Sequence, residues 1–119
     1  MRDRKSLIAR QRARCVALSV VRLSRDHWHR WAGAILYQLQ SASLSVQLNT
    51  AEGHALRSKS RFRNHLIIAY GSAVETVELL ELAKDADCWS QRISHETLAR
   101  AIESRALLLR LIRKYTDTR

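Results

Sequence analysis

The amino-acid sequence predicts an all-α fold, an antiparallel up-and-down four-helix bundle, and three observations carry that prediction. The 119 residues include no proline and only three glycines, so the punctuation that strands and hairpins require is nearly missing. Hydrophobic residues make up 46% of the chain and recur at helical rather than alternating spacing. Four such periodic segments, about 6–24, 31–55, 60–85 and 94–115, are separated by short polar connections, which makes consecutive helices antiparallel neighbours. A chain of this length supports one hydrophobic interior and not two, so residues 1–119 read as a single domain.

The first helix is set by a broad stripe of Leu7, Ile8, Cys15, Val16, Leu18, Val20, Val21 and Leu23, interrupted by Arg10, Arg12, Arg14 and Arg22. The polar run from Arg25 to Arg30 ends it, with Asp26 a candidate cap for the helix that follows. From Trp31, the positions Ile35, Leu39, Ala42, Val46 and Asn49 step by four and three residues, a coiled-coil-like seam that ends on a polar side chain. Gly53 is placed to close helix two in the left-handed conformation, and Ser58 or Ser60 to open helix three. In helix three, Phe62, Leu66, Ala69 and Ala73 form one seam, and Ile68, Ser72, Glu75, Leu79 and Leu82 a second. Ser94 is the expected N-cap of helix four, whose seam reads Leu98, Ile102, Arg105, Leu109 and Ile112. Two cysteines, Cys15 and Cys88, lie among apolar neighbours outside any paired motif and are expected as buried reduced thiols.

Asn49, Glu75 and Arg105 interrupt otherwise apolar seams, and a buried charge requires a partner. The structural expectation is that Glu75 pairs with Arg105 or accepts from Asn49, fixing which helix faces meet. The catalytic alternative, a carboxylate site built from Glu52 and Glu75, lacks the Glu-x-x-His ligands of metal-binding bundles. His27 and His29 flank Trp28, but two ligands do not make a metal site. No serine lies in a nucleophile turn and no glycine-rich phosphate loop occurs. The sequence therefore supplies no catalytic residue, cofactor site or metal site, and the expected class is non-enzymatic.

Charge is the remaining signal. Lys and Arg number 21 against 11 Asp and Glu, a formal net charge of +10. The first thirty residues hold nine cations against Asp3 and Asp26, and Arg57, Lys59, Arg61 and Arg63 form a second cluster. The stretch 64–91 instead carries Glu75, Glu78, Glu81, Asp85 and Asp87 against Lys84 alone. Such an asymmetric protomer can place arginines on RNA or DNA phosphates, with Trp28, Trp31 or Phe62 as stacking surface. It can equally pair basic and acidic faces of neighbouring copies head to tail, a contact that closes into a ring when the rotation permits, or simply be solvated. The basic start has a short apolar stretch with no small-residue cleavage site after it, and no apolar run reaches membrane-span length, so the expected location is cytoplasmic and off the membrane.

The segment Asn49-Thr50-Ala51-Glu52-Gly53 resembles the Asn-Ile-Ala-Glu-Gly motif of the four-helix-bundle proteins encoded in intervening sequences of bacterial large-subunit ribosomal RNA genes, once labelled S23 ribosomal proteins. The likeness continues through Ser60, Phe62, Leu66, Ala69, Gly71, Ser72 and Glu75, with Gln38, Ala42 and Ser45 upstream and Ile93-Ser94 downstream. What the resemblance implies is an antiparallel four-helix bundle that assembles as a homopentamer. It also implies similarity to the accessory variability protein of diversity-generating retroelements, a basic nucleic-acid-binding partner of reverse transcriptase. Partners implied are thus copies of the chain itself, RNA or DNA, and a reverse transcriptase or other protein. The chain departs from the family pattern at Gln40-Ser41 and Gln47, where arginines and a proline are common. Arg10, Arg12, Arg14, Arg57, Lys59, Arg61 and Arg63 would then supply the nucleic-acid contacts. Gly71 and Ser72, beside the small Ala69 and Ala73, are expected to serve close helix packing.

Overall fold

The computed structural model describes residues 4–55 and 58–117, and these contain no strand. Helix α1 spans Arg4–Asp26, a single 3-10 turn at Arg30–Ala32 leads into α2 (Gly33–Ala55), and α3 and α4 span Lys59–Asp85 and Gln91–Asp117. Consecutive helices pack on each other, and α4 closes the bundle against α1. The result is a rod of 48 × 19 × 18 Å, as long as its longest helices plus their connections.

The interior is built in layers. Ala9 and Ala13 of α1, Val46 of α2, Phe62, Leu66, Ala69 and Ala73 of α3, and Leu108 and Leu111 of α4 fill the half nearest the chain start. Val16, Val20, Leu39, Val77, Leu80 and Ala101 continue the core toward the other end. Ala32, Ala83 and Cys88 close it, with Ile35 and Trp89 packed against them. At that end Trp89 Nε1 donates to the His27 carbonyl at 3.0 Å and His29 Nε2 to the Cys88 carbonyl at 2.7 Å, tying the first connection to the last.

Several expectations are corrected. Gly53 does not close α2 in a left-handed conformation, since no glycine has positive φ. It lies inside the helix, where a Cβ would meet His65 Cβ at 3.0 Å and Phe62 Cδ1 at 3.2 Å, so its smallness lets α2 and α3 approach. Gly71 is the converse: an added Cβ meets nothing within 4 Å, so close packing within the chain does not explain it. The cap of α4 is Ser90, whose Oγ accepts from the Ile93 amide at 3.2 Å, while Ser94 is buried one turn inside. Ser58 does cap α3, accepting from the Arg61 amide at 3.4 Å. Asp26 caps nothing downstream; it ends α1 and is held by Arg25 at 2.6 Å. That guanidinium hydrogen bond lowers the Asp26 carboxyl below its ordinary range and raises Arg25 in turn.

In α4 the buried stripe is Ser94, Thr97, Ala101, Ser104, Leu108 and Leu111, one step round from the expected seam, of which Ile102 is 40% exposed. The reason is size as much as chemistry: Thr97 bonds back one turn to the Ile93 carbonyl at 2.9 Å, whereas Ser94 and Ser104 are buried without a hydroxyl partner because only a small side chain fits there. Small hydroxyl residues thus take the tight interior, and the larger Leu98, Leu109 and Ile112 take its half-buried flanks. Cys88 is buried and Cys15 is exposed, both as free thiols, which corrects half of the thiol expectation.

Candidate nucleic-acid interface

Antiparallel order gathers the start of α1, the end of α2, the start of α3 and the end of α4 at one end of the rod. Arg4 and Lys5 of α1, Lys59, Arg61 and Arg63 of α3, and Arg110, Arg113 and Lys114 of α4 are all exposed there. Glu52 is the exposed carboxylate at this end among the described side chains, and it leans toward His65, 3.7 Å from Nδ1. Sequence reasoning found the α3 cluster and missed Arg110, Arg113 and Lys114. Their signal was present in topology, because a four-helix antiparallel chain returns its last turn beside its first. Arg57 lies outside the described residues.

Arg10, Arg12 and Arg14 do not share one surface. Arg10 and Arg14, one turn apart, line a groove toward α2 with Leu7, Gln11, Gln47 and Ala51. Arg12 points to the α4 side, where its Nε meets Glu103 Oε1 at 2.9 Å, an exposed pair worth about 0–1 kcal/mol.

The aromatic partners are not where stacking on this end requires them. Phe62 is buried, edge-on to Tyr115 at 5.0 Å, so it offers no face to a base. Trp28 and Trp31 are exposed, 54% and 67%, but stand at the opposite end, about 35 Å away along α2.

The polar seam residues also sort differently from expectation. Glu75 is exposed with no ion-pair partner among the described residues, so it pairs with neither Arg105 nor Asn49. A carboxylate on the outer shoulder of α3 needs no buried counter-charge. Asn49 instead belongs to a ladder between α2 and α3. Its Nδ2 donates to the Ser45 carbonyl at 2.9 Å, its Oδ1 contacts His65 Nδ1 at 3.0 Å, and Ser45 Oγ meets Ser72 Oγ at 2.7 Å. Glu52, beside His65, and Glu75, ten residues further along α3, stand about 15 Å apart along the axis, too far for one shared site. Among the described residues no group of three or more His, Cys, Asp or Glu is placed to hold a metal ion. No helix among them is long and apolar enough to cross a membrane.

Two further surfaces stand out. On the outer side of α1 and α2, Leu7, Leu18, Val21, Tyr37, Leu44 and Leu48 are exposed, with Arg10 and Arg14 between them. On the outer side of α3, Ile67, Ile68 and Leu82 are exposed beside Gly71, Glu75 and Glu78. Both are apolar, and they carry opposite charge.

Comparison with known proteins bears on the fold and the family. A crystal structure of a protein of unknown function from the S23 ribosomal protein family of Bacteroides thetaiotaomicron superposes with a TM-score of 0.80 at 21% identity, covering 92% of this chain and 98% of that one. At that identity the likeness speaks for the fold. No curated protein matches the sequence. The family model of the 23S rRNA-intervening sequence protein matches residues 5–110, nearly the whole chain and all four helices, and the chain therefore belongs to that family.

Proposed function

We propose that this protein is a non-catalytic, ring-forming helical protein of the cytoplasm that binds RNA or DNA through its basic end. The observation that carries this reading is the convergence of eight exposed cations from three helices on one end of the rod, with Glu52 as the sole described exposed carboxylate there. Their placement is against the grain of helix stability. No acidic residue occupies the first turn of α1 or α3, although helix N-termini favour negative charge. Solvation alone does not call for cations at those positions, whereas phosphate binding does.

Assembly is supported by the two exposed apolar faces. A patch of this kind marks an interaction surface, and an apolar face with Arg10 and Arg14 complements one with Glu75 and Glu78. Such a contact is heterologous and closes into a ring when the rotation permits; a homopentamer is the size we propose, following the family resemblance. It leaves the basic end of every copy open to solvent.

The test is fluorescence anisotropy of labelled RNA and DNA across a salt series, with subunit mass measured on the same samples. Six to ten phosphate contacts would lower affinity about 10³- to 10⁵-fold between 50 and 200 mM salt. The triple variant Lys59→Ala, Arg61→Ala, Arg63→Ala should weaken binding and flatten the salt slope while the assembly stays intact. Absence of binding by the parent protein, with assembly lost on Tyr37→Glu or Leu48→Glu, would favour the second reading, an oligomeric scaffold whose charges serve subunit contacts.

A further inference from the structure

At the basic end the surface between α1 and α4 folds inward into an open groove of about 270 Å³. Its floor is apolar, made by Ile8, Leu107 and Leu111, and its rim is cationic, with Lys5 from one helix and Arg110 and Lys114 from the other. Among the described residues no carboxylate lines it. Glu103, nearly two turns further along α4, is engaged by Arg12. Arg110 and Lys114 stand four residues apart on one helix face, and Lys5 adds a third cation from across the groove.

The size of the floor limits the occupant. Leu107 and Leu111 span one helical turn, about 6 Å. A docked peptide helix grips by residues spread over two turns or more, so the floor is too short for one. A ring with an attached phosphate fits both the apolar floor and the cationic rim. In a duplex the bases are paired and stacked and cannot reach such a floor; an unpaired base can.

We propose that this groove takes one unpaired nucleotide of a single-stranded nucleic acid, the base against Ile8, Leu107 and Leu111 and its phosphate between Lys5, Arg110 and Lys114. The proposal rests on the nucleic-acid reading above and adds selectivity for single strands. With no hydrogen-bonding side chain on the floor, the groove does not read base identity.

The experiment compares a 5′-fluorescein oligouridylate of twelve nucleotides with a labelled duplex of equal length, using the full chain in its assembled form. The parent protein should bind the single strand about tenfold more tightly, within the range that base contacts confer. Arg110→Ala with Lys114→Ala should lower the single-strand salt slope by about 1.4, since each phosphate contact contributes about 0.7. Ile8→Ser should leave the salt slope unchanged and erase the preference for single strands; Ile8→Ala substitutes for it if circular dichroism shows loss of helix. Arg113→Ala, at the same end but outside the groove lining, should retain the preference. If the parent binds no nucleic acid, the proposal and the reading beneath it both fall. Equal binding of single strand and duplex, or a preference untouched in Ile8→Ser, overturns the groove alone while the basic end stands. An acidic Leu- and Glu-containing peptide that binds the parent and is lost in the Arg110/Lys114 variant, with oligonucleotide binding intact, would assign the groove to a protein partner instead.

Discussion

Two glycines in neighbouring helices should respond to the same substitution with opposite sign. Replacing a helical glycine by alanine ordinarily stabilises by about 0.5–1 kcal/mol, because glycine loses more backbone freedom on folding. Gly71 sits in α3 with nothing within 4 Å of an added Cβ, so Gly71→Ala should gain that amount in full. Gly53→Ala gains the same backbone term but brings its methyl to 3.0 Å from His65 Cβ and 3.2 Å from Phe62 Cδ1. His65 Cβ is fixed to the α3 backbone and Phe62 is 1% exposed, so neither can swing away; the helices must part. Overpacking of that kind costs about 1–3 kcal/mol, which outweighs the gain. The two variants should therefore differ by about 2 kcal/mol, or roughly 6–12 °C in Tm for a chain of this size. Thermal unfolding followed by helical circular dichroism reads the difference. A dilution series is needed because assembly makes Tm concentration-dependent. The same series tests the ring: if Gly71 faces a neighbouring copy, the advantage of Gly71→Ala is largest in dilute protein and shrinks as subunits associate. A stabilised Gly53→Ala, or variants that shift together, would refute the close approach of α2 and α3.

The thiols should separate cleanly. Cys15 is exposed and should react with an aromatic disulfide reagent at the rate of a free thiol, while buried Cys88, raised above its ordinary value first by desolvation and then by Asp87, should react only through opening of the fold. The sign for stability follows: Cys88 contributes below the unfolded thiol pKa and loses that contribution progressively as pH rises above it, so unfolding midpoints should decline in the alkaline range and less so in Cys88→Ala. Ser104 is buried with its Oγ lacking a hydrogen-bond partner, so Ser104→Ala should raise stability by about 1 kcal/mol in denaturant titration; a loss would mean that the hydroxyl is satisfied in solution.

How much of this was legible in the sequence divides along physical lines. Helix existence and extent were, because four periodic segments without proline leave few alternatives; each observed helix lies within three residues of its expected span. Which face of a helix is buried was legible for Phe62, Leu66, Ala69 and Ala73, where apolarity and burial coincide. It was not legible in α4, because Ser94, Thr97 and Ser104 are polar by composition yet interior by size. The second seam of α3 looked like core for the opposite reason. Ile68 and Leu82 are apolar at helical spacing, but the chain offers them no fourth neighbour, so they remain more than half exposed on the monomer. A periodicity argument cannot separate a face made for the chain's own interior from one suited to another copy. The basic end was half legible: clusters near in sequence were counted, whereas Arg110, Arg113 and Lys114 join them only through antiparallel return of the chain.

The placement of cations at helix starts gives a direct way to separate stability from function. In an antiparallel bundle the macrodipoles of neighbouring helices largely cancel at each end, so the positive potential of this end comes from side chains rather than backbone. Yet each helix still feels its own terminus locally. Lys59 is the first residue of α3, just after the Ser58 cap, and Arg61 and Arg63 follow within a turn. Lys59→Glu removes one unfavourable charge–dipole contact, adds a favourable one and places a carboxylate beside two cations. Each local term is worth about 0.3–1 kcal/mol at an exposed terminus, so the variant should be more stable than the parent by about 1 kcal/mol in denaturant titration. For nucleic acid the same change reverses the charge at the proposed surface and should lower affinity while reducing the salt slope. A protein whose exposed cations serve only solvation would gain stability and lose nothing. Gain of stability together with loss of binding would identify these positions as ones where stability is sacrificed for phosphate contact. Unchanged binding would remove Lys59 from the surface, and reduced stability would show that the helix start is held by contacts the dipole argument omits.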